Sequence, residues 1–149
     1  MVDVFTKRKR SAVMSLIRSG DNASTELRLI TLLHGLGITG WRRRQTLPGR
    51  PDFVFRHAKL AVLVDGCFWH GCPRHHRLPA TRPAFWIAKL QANMARDRRV
   101  GLELRQNGWR VLRIWECDLT KARQPLTAAR LKRALRGPTA FPIRQLRDN

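Results

Sequence analysis

The stretch Leu60-Ala-Val-Leu-Val-Asp65-Gly-Cys67-Phe-Trp-His70-Gly-Cys72 changes character halfway along. Leu60 to Val64 is apolar at every position, so both alternating faces of an extended segment would be buried. That pattern predicts a central strand covered by helices on both sides. After Asp65-Gly the run breaks into a loop, 66–83, rich in Gly, Pro, Cys and His. Upstream, 23–36 carries Leu29, Ile30, Leu33 and Leu36 on one helical stripe, with Asn22 or Ser24 as cap and Gly35 and Gly37 as terminators. Trp41 to Thr46 and a Pro48-Gly49 turn then lead to a strand around Asp52 to Phe55. Downstream, Ala84 to Gln106 reads as a long helix ending at Gly108, Trp109 to Trp115 as another buried strand, and Leu126 to Leu135 as a basic helix. A short amphipathic helix is expected at 11–19. This order predicts an α/β layered domain with a mixed sheet. A length of 149 residues without repeat or linker predicts one domain, with 1–20 as an N-terminal arm or helix and 120–149 as a basic C-terminal helix and tail.

The charge is lopsided. Thirty Lys and Arg oppose ten Asp and Glu, a formal +20, and 24 of the thirty are arginines. Arginine suits bidentate contact with phosphates and base edges, so a nucleic acid is the expected partner. No apolar run approaches a membrane span, and Met1 to Arg10 does not read as a signal peptide. Three cysteines, an odd number, do not suggest a secreted disulfide frame, which points to a reducing cytoplasm; nucleoid association is a separate expectation.

Two constellations carry chemistry. Cys67-Phe-Trp-His70-Gly-Cys72-Pro-Arg-His75-His76 packs two thiols and three imidazoles into ten residues, and Cys117 follows a strand expected beside this loop. Cys67, Cys72, Cys117 and one of His75 or His76 make a closed set suited to structural Zn²⁺. The plain alternative is a group of buried free cysteines with solvent histidines. The second constellation is acidic. Asp52 and Asp65 fall at matching ends of neighbouring strands, a way to hold Mg²⁺ for phosphodiester hydrolysis. Singly, each reads as a turn residue. Asp97 faces the core side of its helix, where it needs an arginine partner or a metal site. Glu26 reads either as a site acid or as a first-turn glutamate favoured by the helix dipole. His70, left over from zinc, is a candidate base for water. Phe68-Trp69 and Phe85-Trp86, flanked by Arg74, Arg77, Arg82 and Lys89, have the make-up of wedges that open a duplex, while Trp109 and Trp115 are expected in the core.

These residues resemble a known family. Leu47-Pro-Gly-Arg-Pro-Asp52-Phe, Ala61 to Cys72, Phe85-Trp86, Arg96-Asp97-Arg98, Gly108 to Val111 and Trp115-Glu-Cys117 are similar to the very-short-patch repair (Vsr-type) DNA mismatch endonucleases. The resemblance covers about residues 10 to 119. It implies a restriction-endonuclease-like fold of the PD-(D/E)xK type and Mg²⁺-dependent nicking of one strand. The cut would fall 5′ to the T of a T·G mismatch left by deamination of 5-methylcytosine. It implies Asp52 and the Val64 backbone carbonyl as Mg²⁺ ligands, His70 for water activation, and Asp97 and Glu26 as supporting acids. Cys67, Cys72, His75 and Cys117 would hold Zn²⁺, and Phe68, Trp69 and Trp86 would intercalate, with Lys89 and Arg96 on DNA. The lysine of the wider pattern is replaced by Cys67, which favours a histidine-assisted variant. Asp65 stands where some relatives have histidine, so ligand, base and hydrogen-bond partner all remain open. A monomer acting on mismatched duplex, with downstream repair proteins as further partners, completes the expectation. The rivals are a related nuclease with a different target and a non-catalytic zinc-containing nucleic-acid-binding protein.

Overall fold

The computed structural model describes residues 22–137 together with Arg8. The helix expected at 11–19, the rest of the N-terminal arm and the tail beyond 137 lie outside the described residues. The elements are α1 (Glu26–Gly35), β1 (Trp41–Arg42), β2 (Phe53–Phe55), β3 (Leu60–Asp65), α2 (Pro83–Gln106), β4 (Arg110–Trp115), a 3₁₀ turn (Glu116–Leu119) and α3 (Gln124–Leu135). One four-stranded sheet runs in the order β1-β2-β3-β4. The first three strands are antiparallel, and β4 returns through α2 to pair parallel with β3.

Alternation along β3 sorts the core into two layers. Leu60 and Val62 join Phe53, Phe55 and Ile114 against Leu29 and Leu33 of α1 and Leu131 of α3. Ala61 and Leu63 turn the other way, towards Leu104 and Val100 of α2. The expected central strand is therefore covered on both faces, and all but Val64 of its six residues are buried. Truncating a fully buried leucine such as Leu131 or Leu33 to alanine would cost about 2–5 kcal/mol.

Three details differ from the expectation. The α1 helix starts at Glu26, with Thr25 at the cap position and no capping side chain. Asn22 instead closes the preceding turn, its Oδ1 accepting from the Ser24 amide and hydroxyl at 3.0 and 2.8 Å. Pairing of β1 is confined to Trp41 and Arg42. Only Ile114 is buried along β4, and Trp109 and Trp115 are half-buried rather than core. The reason is position: β4 is the sheet edge, paired with β3 alone. Among the described residues no helix is long and apolar enough to cross a membrane.

Strand directions locate the chemistry. Antiparallel pairing of Phe53 with Val62 sets Asp52 beside the end of β3. Parallel pairing of Asp65 with Trp115 brings the ends of β3 and β4 to the same edge, with Cys117 just beyond.

Candidate active site and metal centre

An open cleft of about 630 Å³ lies at this edge. Glu26, Asp52, Asp65, His70 and Asp97 all line it, as do Val64, Trp69 and Arg96. The five titratable residues form two groups.

The first is Asp52 with Glu26. Asp52 Oδ2 accepts the Val64 N–H at 2.7 Å, which fixes the carboxylate against β3. Burial pushes its carboxyl up to about 6 despite that hydrogen bond, and repulsion from Glu26 and Asp65 adds to the effect. Glu26 is buried in the first turn of α1 and is paired with Arg43, so it is more than a dipole-favoured surface acid. No lysine or arginine pairs with Asp52 among the described residues. A half-buried carboxylate next to other acids, with no basic partner among the described residues, suits a hard divalent ion bound through oxygen.

The second is His70 with Asp97 and Asp65. His70 Nδ1 lies 2.7 Å from Asp97 Oδ2 and 3.8 Å from Asp65 Oδ1. A carboxylate only accepts, so the short contact puts the proton on Nδ1 and leaves Nε2 free to take one. Arg113 Nη1 approaches Asp65 Oδ2 at 2.5 Å and Asp97 Oδ2 at 3.6 Å. Burial raises the Asp65 carboxyl, opposed by Arg113 and His70. The strand ends do bring Asp52 and Asp65 close enough to repel, yet the hydrogen bond and ion pairs of Asp65 go to Arg113 and His70.

The aromatic residues gather beside the cleft. Phe68 stands edge-on to Trp69 and Trp86, with centroids 4.9 and 5.4 Å away, and Phe85 packs on Trp86 at 5.2 Å. Trp69 joins the cleft to a smaller recess lined by Phe68, Trp86 and Lys89. Phe85 is 46% exposed, and Lys89 and Arg96 are exposed on the same helix. Asn93 Nδ2 holds the Trp69 carbonyl at 2.9 Å, tying the loop to α2.

The sulfur cluster closes on the far side of the loop. Ligand atoms of Cys67, Cys72, His75 and Cys117 all lie within 4.8 Å of one another. The Cys72 and Cys117 sulfurs are 3.7 Å apart. Tetrahedral bonds of about 2.3 Å would separate two sulfurs by about 3.8 Å, so the donors fit Zn²⁺ in kind and spacing. The geometry selects His75, and His76 stays outside the group. A turn closed by the His76 N–H on the Cys72 carbonyl, 3.0 Å, sets the two histidines apart.

Two residues had gone unnoticed in the sequence. Arg113 is a charged residue in the interior of a strand whose other interior residues are apolar, which was the available signal. Asp118 is 2% exposed and takes Arg74, Arg123 and Arg130 at 2.6, 3.2 and 3.1 Å. Arg74 also donates to Cys117 Sγ at 3.0 Å, so this hub braces the sulfur cluster against α3.

A family model described as DNA mismatch endonuclease Vsr matches residues 2–76. The chain is 44% identical over 131 residues to the DNA mismatch endonuclease Vsr of Escherichia coli (strain K12), covering 85% of this chain and 81% of that protein. The chain belongs to the Vsr family of DNA mismatch endonucleases. It is thus a DNA endonuclease by family, with a mixed α/β fold. Type II nicking enzymes are similar to it as well. V.XorIIP of Xanthomonas oryzae pv. oryzae is 40% identical, covering 80% of this chain and 88% of its own. V.NmeDIP of Neisseria meningitidis serogroup C is 33% identical over 99% of both. The segment matched by the Vsr family model holds Glu26, Asp52, Asp65 and His70, while Asp97, Arg113 and Cys117 are brought to them by the fold.

Proposed function

We propose that this Vsr-family chain nicks one strand of duplex DNA 5′ to the T of a T·G mismatch produced by deamination of 5-methylcytosine, in very short patch repair. The observation that carries the reading is the joining, through Trp69, of an acidic cleft holding a His70–Asp97 pair to an aromatic cluster. Asp52 would hold Mg²⁺ together with the Val64 backbone carbonyl. A bound Mg²⁺ there supplies charge to the phosphate and the leaving oxygen. His70 Nε2 takes the proton of the attacking water while Asp97 keeps the ring in one tautomer and orientation. Phe68, Trp69 and Trp86 push between base steps, and a mismatch lowers the cost of unstacking them. Lys89 and Arg96 hold the backbone alongside. Cys67, Cys72, His75 and Cys117 would hold a structural Zn²⁺ that shapes the loop carrying these rings. The fold fits a PD-(D/E)xK-type nuclease in which His70 serves in place of the missing lysine. One cleft per chain suits a monomer cutting one strand, with repair proteins acting downstream.

End-labelled duplexes with T·G or C·G at several 5-methylcytosine contexts, with and without Mg²⁺, test the proposal. The expected result is a single nick on the T strand that requires the metal. Equal cutting of matched duplex would favour a nicking enzyme with another target. Tight binding without a cut would favour a binding module.

A further inference from the structure

We infer that Arg113 is a positioning residue for the His70–Asp97 pair, and that Asp65 serves this pair rather than the metal side of the cleft. The inference rests on the proposed roles of His70 and Asp97. Its physical basis is the placement of two carboxylates around one imidazole. Asp65 and Asp97 both point an oxygen at His70 Nδ1, at 3.8 and 2.7 Å. Two like charges converging on one nitrogen repel. Arg113 supplies the restraint. Its Nη1 faces Asp65 Oδ2 at 2.5 Å and Asp97 Oδ2 at 3.6 Å, and its Nη2 donates to the Asp97 backbone carbonyl at 3.3 Å. One guanidinium therefore fastens the end of β3, the middle of α2 and the edge strand β4. A lysine, as a point charge, cannot span these acceptors in a fork.

Arg113 is anchored from behind, since Arg130 of α3 donates to its carbonyl at 2.8 Å while also pairing with Asp118. Its own fork is committed to the two carboxylates and the Asp97 carbonyl. Arg50 and Arg96 line the same cleft, exposed and without an ion pair among the described residues, and they are the cations left for phosphate. Without Arg113, Asp97 is expected to swing away from Asp65, releasing Nδ1 and with it the tautomer that leaves Nε2 free.

The test uses the full chain with its Cys/His centre filled. In ¹⁵N-histidine NMR at fixed pH, with His70 assigned through His70→Gln, the wild-type ring is expected as the Nδ1–H tautomer. Arg113→Met is expected to mix the tautomers. On a T·G duplex with Mg²⁺ the same variant should lose about 10²-fold in kcat, with KM within about threefold and metal content unchanged. Adding Asp65→Asn to Arg113→Met should recover about tenfold, because the repelling charge is gone. Wild-type tautomer and kcat in folded Arg113→Met would overturn the inference. Should that variant fail to fold, Arg113→Lys is read instead. A loss of at least about tenfold in kcat at wild-type thermal stability supports the role, and unchanged kcat overturns it. A wild-type chain that leaves the T·G duplex uncut would refute the proposed function, while the NMR comparison still decides the role of Arg113.

Discussion

The Cys/His cluster and the acidic cleft both grow from the end of β3, starting at Cys67 and Asp65, two residues apart, and they are built in opposite ways. Three of the four cluster donors come from one ten-residue loop, with Cys117 supplied by the turn after β4. The cleft draws single residues from α1, the approach to β2, β3, the loop and α2. The cluster is a closed set of soft donors with sulfurs at metal-bridging distance, and its acidic neighbour Asp118 is neutralised by three arginines. The cleft leaves Asp52 half-buried and, among the described residues, unpaired by any basic side chain. One centre commits its polar groups to holding shape; the other leaves Asp52 held by a backbone N–H, with no basic partner among the described residues.

That contrast predicts opposite responses to substitution. The largest effect should come from Cys72→Ala in the fully buried cluster. Metal is expected to leave and stability to fall by on the order of 5 kcal/mol or more, read by elemental analysis and thermal unfolding. A variant that unfolds at the wild-type temperature would break the comparison. Next is Asp52→Asn, expected to reduce nicking by at least about 10³-fold while Tm holds or rises, since the buried charge is removed. Loss of activity and fold together would make Asp52 structural.

A smaller effect concerns pH. The folded chain binds the Asp52 proton more tightly than the unfolded chain, its carboxyl standing at about 6 against 3.8. The sign follows by linkage: this group adds stability below about pH 4, and the contribution is lost as pH rises through about 6. Its size is of the order of 1–3 kcal/mol. Without Mg²⁺, denaturant titrations should show this fall between pH 4 and 6, and Asp52→Asn should flatten it. The smallest effect should come from the rings. Phe68→Ala is expected to lower the T·G over C·G nicking ratio by roughly tenfold, with Tm changed by only a few degrees. An unchanged ratio would reduce the aromatic cluster to packing.

Much of this was legible along the chain because the signals were local. The unbroken apolar run Leu60 to Val64 announces a strand covered on both faces, and the loop's cysteines and histidines, with Cys117 at a strand end, offer a closed donor set. The half-burial of Trp109 and Trp115 was not legible, since a buried-looking strand reads the same at the centre of a sheet or at its edge. Nor was the choice of His75 over His76, which depends on which way a single turn closes. Arg113 and Asp118 were visible only as oddities of charge, because their partners lie on other elements, up to 48 positions away.

By itself, the sequence determined the α/β layering, the strongly basic charge and the residue types available for two candidate metal sites, because periodicity, net charge and donor chemistry are properties of composition and short-range order. Only the tertiary structure decided how the acids divide. It set Glu26 beside Asp52, and it turned Asp65 to Arg113 and His70. It also left Asp52 without a basic partner among the described residues. The reason is that a carboxylate's role depends on which charges lie within a few ångströms of it, and strand register and helix packing fix those distances.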